Sequence, residues 1–447
     1  MRKTTRRQFL ASAATAAAAF TIVPRHVLGA GQTPPSEKLN IAGIGIGGQG
    51  AGVLNDMASE NIVALCDVDW QKASGTFNKF SKAEKFKDYR VMLDKAAKSF
   101  DAVMVATPDH MHAPIAMAAM RAGKHVYVEK PMAHSIEEAR IMTQFAKEAK
   151  LVTQMGNNGH AGDGLRLTRE WIQAGAIGTV REIHAWTDRP GVPGARQWWP
   201  QPAKPAPVPA PAVPEHIDWN LFLGAAPERP YNPNIHPFAW RGYFDFGTGA
   251  LGDMAVHNMD PAFYALDLEA PIAAEAQTSE LGKDSYPAWQ IITYEFAAKA
   301  NRPALKIRWY DGGKLPTPPK DIVGQFELSD NGILFIGDKG TMVCGGWSGA
   351  PRLFPASRRK EFQLPAKSIP RSTGHRSEWI QACKDNKPQD AKAGFWYSGP
   401  FTEALLVGNL AVRLQKRIEW DSANMKASNA PEADALIHKK YRAGFSI

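Results

Sequence analysis

Removing the proton from a secondary alcohol needs a base, and the oxygen left behind needs a cation or a donor beside it. Three side chains from two well-separated stretches of this sequence offer that set. Lys130 stands in Glu129-Lys130-Pro131, directly after the apolar run His125–Val128. Asp253 and His257 lie in GTGALGDMAVHNMD, Gly247–Asp260, at i and i+4, so on a helix they share one face. A carboxylate and an imidazole together can abstract and shuttle a proton, and an ammonium can polarise an oxygen. The same pair also fits a helix-surface or metal-binding motif. No third ligand stands nearby at a usual spacing, so no metal is expected.

The elements that must position these groups begin at Lys38–Asp69. Leu39–Ile44 fits a buried parallel strand. The cluster Gly45-Ile46-Gly47-Gly48-Gln49-Gly50 follows, then the helix-compatible Ala51–Ser59 and a second apolar run, Ile62–Cys66, ending on Asp67. Strand, glycine turn, helix, strand and acid is the order of a dinucleotide-binding unit. Two registers fit, Gly43/Gly45/Gly48 and Gly45/Gly47/Gly50. The second is preferred because it leaves a longer strand. The glycines serve the tight turn, the close approach of backbone to pyrophosphate, and helix–strand packing, while the helix N-terminus offers free N–H groups to phosphate. Asp67 stands where a carboxylate bonds ribose hydroxyls and repels a 2′-phosphate, which favours NAD over NADP.

Further strands are read at Ala102–Ala106, His125–Val128 and Leu151–Met155. Helices are read at Ala113–Ala122, closed by Gly123, and at Ile136–Lys150, capped by Ser135 with Glu138 at the capping-box position. This alternation predicts an α/β fold with a doubly wound parallel sheet. Ligands in such sheets lie at the carboxyl ends of the strands. The glycine turn, Asp67, Thr107-Pro108-Asp109-His110-Met111-His112 and Glu129-Lys130-Pro131 all fall there. The expected cofactor-binding residues are therefore Gly45, Gly47, Gly48, Gln49, Gly50, Asp67, Thr107, Asp109, His112, Glu129 and Lys130, with His112 favoured over His110 beside the nicotinamide.

The glycine turn, the Thr107–His112 stretch and above all Glu129-Lys130-Pro131 resemble the glucose–fructose oxidoreductase / inositol dehydrogenase (Gfo/Idh/MocA) family. The resemblance implies an N-terminal Rossmann domain, here 36–156, and a C-terminal α+β domain with a large open, mostly antiparallel sheet, here 157–447. It implies hydride transfer between NAD(P) and a hydroxyl carbon of a sugar or cyclitol. It also implies that Asp253-x-x-x-His257 acts with Lys130: His257 as acid/base, Asp253 on a substrate hydroxyl and tuning the histidine, Lys130 binding and polarising the reacting oxygen. Lys130 and His257 could exchange roles. A homo-dimer or homo-tetramer is expected on the same ground.

In the second half, strand-like runs at Thr179–Thr187, Ala273–Thr278, Trp289–Phe296, Ala304–Tyr310, Gly332–Gly337 and Thr341–Cys344 no longer alternate with helices; Gly164–Ala174, Arg376–Lys384 and Phe401–Lys416 read as helical. The proline-rich stretch Trp198–Pro214 must be extended, as a surface loop or an arm on a neighbouring subunit, with the loop preferred. Trp186, Trp198, Trp199, Trp219, Trp240 and Trp289 make this half aromatic-rich, and flat faces suit a pyranose. Trp240 and Arg241 are the favoured substrate contacts. Asn157, Asn158 and His160 follow the last strand of the first domain and could reach the cleft, or serve as turn residues; Asn158 and His160 are taken as substrate-binding.

At the N-terminus, Thr5-Arg6-Arg7-Gln8-Phe9-Leu10 precedes the alanine-rich Ala11–Val23, within a segment 1–30 that resembles a Tat signal. This predicts periplasmic or other exported localisation with no membrane association afterwards. Lys and Arg number 53 against 44 Asp and Glu, a formal net charge of +9. The basic residues are scattered, so no nucleic-acid partner is expected. Cys66, Cys344 and Cys383 form neither a disulfide framework nor a metal spacing. The expectation is an exported oxidoreductase holding NAD tightly and acting on a small carbohydrate. Its rivals are an NAD-dependent glycosidase that oxidises, eliminates and re-reduces, and a non-catalytic nucleotide sensor.

Overall fold

A computed structural model describes residues 37–192, 196–300 and 302–447. The twin-arginine segment lies outside the described residues. Strands β1 (Asn40–Ile44), β2 (Asn61–Cys66), β3 (Glu84–Phe86), β4 (Ala102–Val105), β5 (His125–Val128) and β6 (Thr153–Met155) form a wholly parallel sheet in the order 3-2-1-4-5-6. The strand order reverses between β1 and β4, which opens a crevice at their carboxyl ends. Every residue of β4 is buried, as a central strand covered on both faces requires. The short β3 lies within Gln71–Lys87, whose lysine-rich sequence reads as helix and loop. It is an edge strand with two of its three residues exposed, where lysine discourages further pairing.

The helix Ile136–Glu148 starts at the capping box read from the sequence: the Glu138 N–H donates to Ser135 Oγ at 3.3 Å and the Ser135 N–H to Glu138 Oε2 at 3.0 Å. Another cover for the sheet comes from far downstream. Helix His375–Asp385 sets Trp379, Ile380 and Cys383 in one apolar cluster with Ile41, Leu65 and Met104, and the Trp379 ring meets Tyr127 edge-on at 5.7 Å.

The second sheet comprises β7 (Val180–Thr187), β8 (Ala273–Thr278), β9 (Gln290–Phe296), β10 (Leu305–Tyr310), β11 (Asn331–Gly337), β12 (Gly340–Gly345), β13 (Pro351–Phe354), β14 (Ile418–Asp421) and β15 (Lys426–Ala427), in the order 13-12-11-7-10-9-8-14-15. Only β7 and β10 pair in parallel; the other pairings are antiparallel. Strands β13 to β15 escaped the sequence reading because they are short. Along β9 burial alternates, with Ile292, Tyr294 and Phe296 inward. They face the helix Phe395–Leu414, whose Leu405 carbonyl accepts from Tyr294 Oη at 2.9 Å. A Cβ on Gly408 would lie 2.0 Å from that hydroxyl oxygen, so glycine is what lets strand and helix close. Both sheets belong to one unit, Leu39–Ile447. Arg140, on the helix Ile136–Glu148, joins them through a two-pronged pair with the buried Glu403, at 2.8 and 2.7 Å.

Candidate active site

The crevice beside the glycine turn opens into a cavity of about 450 Å³ whose wall is shared by both halves of the chain. Gly45 has φ +78°, and a Cβ there would sit 2.7 Å from the Ala106 carbonyl. A Cβ on Gly50 would fall 2.1 Å from Gly45 O. Gly45 therefore makes the turn and Gly50 closes helix on strand, which is the Gly45/Gly47/Gly50 register. The helix Gln49–Asp56 has Gly48 at its N-cap and no side-chain cap, so its first amides open into the cleft as an anion cradle. Asp67 accepts from the Gly47 N–H and the Asp69 N–H, both at 2.9 Å. Burial raises its carboxyl to about 6 against those hydrogen bonds. The cradle and the acid fit a dinucleotide. A strap from the second half lies alongside: Asp69 is held by His216 at 2.9 Å and by His236 at 2.7 Å, and Asp218 N–H donates to Val68 O. His236 lines the cleft.

At the other end Lys130 Nζ donates to Asp253 Oδ1 at 2.6 Å and to its carbonyl at 3.2 Å, a bond across 123 positions of sequence. Burial alone would raise the Asp253 carboxyl, but Lys130, Arg241 and Arg189 hold it well below the carboxylate range. Asp253 lies in a π-helical turn, Leu251–Ala255, that runs into Val256–Asn258. Such turns recur at functional sites. His257 lines the same cavity as Lys130. Its Nδ1 lies 2.8 Å from Asn157 Oδ1, while Asn157 Nδ2 donates to Asp260 Oδ2 at 3.0 Å. The carboxylate fixes which end of the amide faces the imidazole, so Nδ1 carries the hydrogen and Nε2 keeps a free lone pair. Burial, with the Lys130 ammonium, pushes His257 down to about 3. The ring is therefore a neutral proton acceptor.

Gly45, Gly47, Gly48, Gln49, Asp67, Thr107, Glu129, Lys130, Asn158, Trp240, Arg241, Asp253 and His257 line this cavity. Four residues assigned to the cleft from sequence are placed behind its wall instead. Gly50 packs under the turn. Asp109 accepts from the Thr248 N–H and hydroxyl at 3.0 and 2.6 Å and so anchors the segment that carries Asp253; burial raises it to about 7. His112 is buried with its ring nitrogens facing Pro131 O and Thr107 O. His160 is buried against Asp260, 3.0 Å away, which also accepts from Tyr397 Oη at 2.5 Å. Of the tryptophans, Trp198, Trp199 and Trp240 reach the cleft, whereas Trp186 and Trp219 are buried in apolar clusters.

Arg189, His236 and Trp347 also line the cleft and were not found from sequence. Trp347 and Ser348 have φ +55° and +57°, a conformation costing side-chain residues on the order of 1–3 kcal/mol. Gly159 and Gly164 allow it, since a Cβ on either would strike the Trp347 or Ser348 carbonyl oxygen at 2.7 or 2.2 Å. The only local sign was the glycine-rich turn around Trp347.

Two models of one family match the chain: the oxidoreductase family NAD-binding Rossmann fold over residues 38–157, and the oxidoreductase family C-terminal alpha/beta domain over 197–302. Levoglucosan dehydrogenase of Pseudarthrobacter phenanthrenivorans is 28% identical over 201 residues, 45% of this chain and 41% of that protein. A glycosyl hydrolase family 109 protein of Shewanella amazonensis is 36% identical over 115 residues, 24% of this chain and 25% of its own. The chain thus spans less than half the length of these curated relatives. The aldose–aldose oxidoreductase of Caulobacter crescentus, solved with glycerol, superposes with a TM-score of 0.55 at 16% identity over 86% of this chain and 100% of that one, which speaks to fold. With both domain models matched and together covering half of its length, the chain belongs to the Gfo/Idh/MocA oxidoreductase family.

Proposed function

We propose that this protein is an exported NAD-dependent oxidoreductase that moves hydride to or from a hydroxyl carbon of a sugar or sugar derivative. One observation carries the reading: Lys130, Asp253 and His257 line the same cavity as the glycine turn and Asp67. Bound NAD would supply the hydride acceptor, held by the Gln49–Asp56 helix N-terminus and by Asp67, whose carboxylate disfavours a 2′-phosphate. The free Nε2 of His257 takes the hydroxyl proton. The Lys130 ammonium, set by Asp253, stabilises the alkoxide as it forms. The strap held by Asp69, His216 and His236 supports retention of the cofactor. Retention matters because the twin-arginine stretch argues for export to a compartment without a soluble NAD supply.

The deciding experiment screens purified full-length protein against sugars and aryl glycosides, following NADH absorbance and aglycone release together. NADH formed from a sugar supports the reading. Aglycone released without net NADH would replace it with transient oxidation, elimination and re-reduction, the alternative that the glycosyl hydrolase family 109 similarity favours. Heat-released nucleotide identified by mass separates either from a protein that binds no NAD(H). Cell fractionation of wild-type and Arg6→Lys/Arg7→Lys chains tests export, and light scattering tests the proposed homo-dimer or homo-tetramer.

A further inference from the structure

The substrate end of the cleft carries more positive charge than proton transfer uses. Lys130 and Asp253 neutralise one another at 2.6 Å. Arg189 is paired with Asp188. Glu129, the remaining carboxyl on this wall, is buried and faces the charge of Arg376 as well as Lys130. Arg241 shares the Asp253 carboxylate with Lys130 and also faces the buried Asp109. Its Nε is 3.6 Å from the already paired Asp253 and its Nη1 donates to Phe238 O at 3.0 Å. Among the described residues its Nη2 donates to nothing.

Both guanidinium groups also lie against aromatic rings. The Arg241 carbon lies 4.2 Å from the ring centres of both Phe238 and Trp240. The Arg189 carbon lies 3.4 Å from that of Trp198, with Arg196 3.6 Å from the same ring. A guanidinium clamped on aromatic faces keeps its N–H edge in one orientation, which suits a planar two-oxygen anion rather than a hydroxyl. A partly buried cation that only shares a carboxylate already held by Lys130 also carries a desolvation cost that an anionic ligand offsets and a neutral one does not. The rings beside these edges provide flat surfaces for the C–H face of a pyranose.

We propose that this end of the cleft takes a sugar bearing a carboxylate, a uronate or an aldonate, with the carboxylate against the free N–H edges of Arg241 and Arg189. The proposal rests on the carbohydrate reading above and narrows it. The test compares hexuronates and aldonates with their parent neutral sugars and with sugar 6-phosphates, using full-length protein supplied with NAD. It reads kcat/KM by NADH formation and ligand protection by thermal shift.

The acid should be preferred over its neutral parent by on the order of tenfold to a hundredfold, with the preference shrinking as salt rises. Arg241→Gln should collapse the acid-to-neutral ratio, and Arg241→Lys should restore it only in part because lysine lacks the fork. Arg189→Gln provides the same ratio test if the first variant does not fold. Equal acid and neutral values, or a ratio untouched by both variants, overturns the proposal. A preference for the 6-phosphate overturns the carboxylate. If no sugar yields NADH, protection by uronate over neutral sugar still upholds an acid-binding cleft while the hydride reading falls. Absence of such protection removes the acid site.

Discussion

Replacing Lys130 with Met separates the catalytic from the structural work of the inter-sheet pair. Nζ lies 2.6 Å from Asp253 Oδ1, with the two side chains 17% and 13% exposed. Removing one partner of so enclosed a pair costs about 3–5 kcal/mol. Arg241 and Arg189 remain near the stranded carboxylate, so the lower end of that range is expected. The sign with pH follows from the direction of the shift. Asp253 is held below its unfolded value, so its contribution is present above about pH 4 and is lost as pH falls further. Lys130→Met should therefore weaken urea resistance at neutral pH and flatten its loss in acid. Turnover should fall on the order of 10²–10³-fold, the cost of one donor to a developing oxyanion.

The same change removes a charge that depresses His257, which stands at about 3 with Lys130 present. In the wild type, imidazole protonation should leave no inflection in kcat/KM between pH 5 and 8. In Lys130→Met the residual activity should acquire an acid limb that moves up in pH. The double variant Lys130→Met/Asp253→Leu should recover stability without turnover. Single-turnover NADH formation across pH, beside urea unfolding of the three proteins, is the assay. Lys130→Met turning over within threefold of wild type would refute the assignment, as would a double variant no more stable than the single.

Three further outcomes follow from the geometry. Asn157→Leu removes the group that fixes the His257 tautomer; kcat should drop roughly 10–100-fold, in the range seen for orienting partners, with little change in KM and an altered pH profile. Asp67→Ser takes away the carboxylate at the turn and should move the NAD-to-NADP ratio of kcat/KM at least about tenfold toward NADP, read in parallel assays with the two cofactors. Gly408→Ala should lower stability by about 1–3 kcal/mol through overpacking against Tyr294 Oη, although alanine favours a helix by roughly 0.5–1 kcal/mol; urea unfolding checks the sign.

Local spacing was enough for the features that depend on neighbours in the chain. The Gly45–Gly50 turn, the apolar runs that became β1, β2, β4 and β5, the Ser135/Glu138 cap and the Asp253-x-x-x-His257 pair each follow from periodicity or from one residue's backbone freedom. Sequence therefore determined the parallel first sheet and the glycine cradle at its crevice. The same reasoning misplaced Asp109, His112 and His160. Polar residues beside a cleft look alike in sequence whether they face the ligand or hold the wall, and all three are consumed by internal partners.

Tertiary structure decided the rest. It brought Asp253 to Lys130 across 123 positions and Asn157 to His257 across 100, set His375–Asp385 against the first sheet, and carried Arg189, His236 and Trp347 to the cleft. No local pattern encodes such meetings. They depend on how two sheets and their helices bury apolar faces against one another, and only that packing determines which charge finds which partner and which nitrogen of His257 is left free.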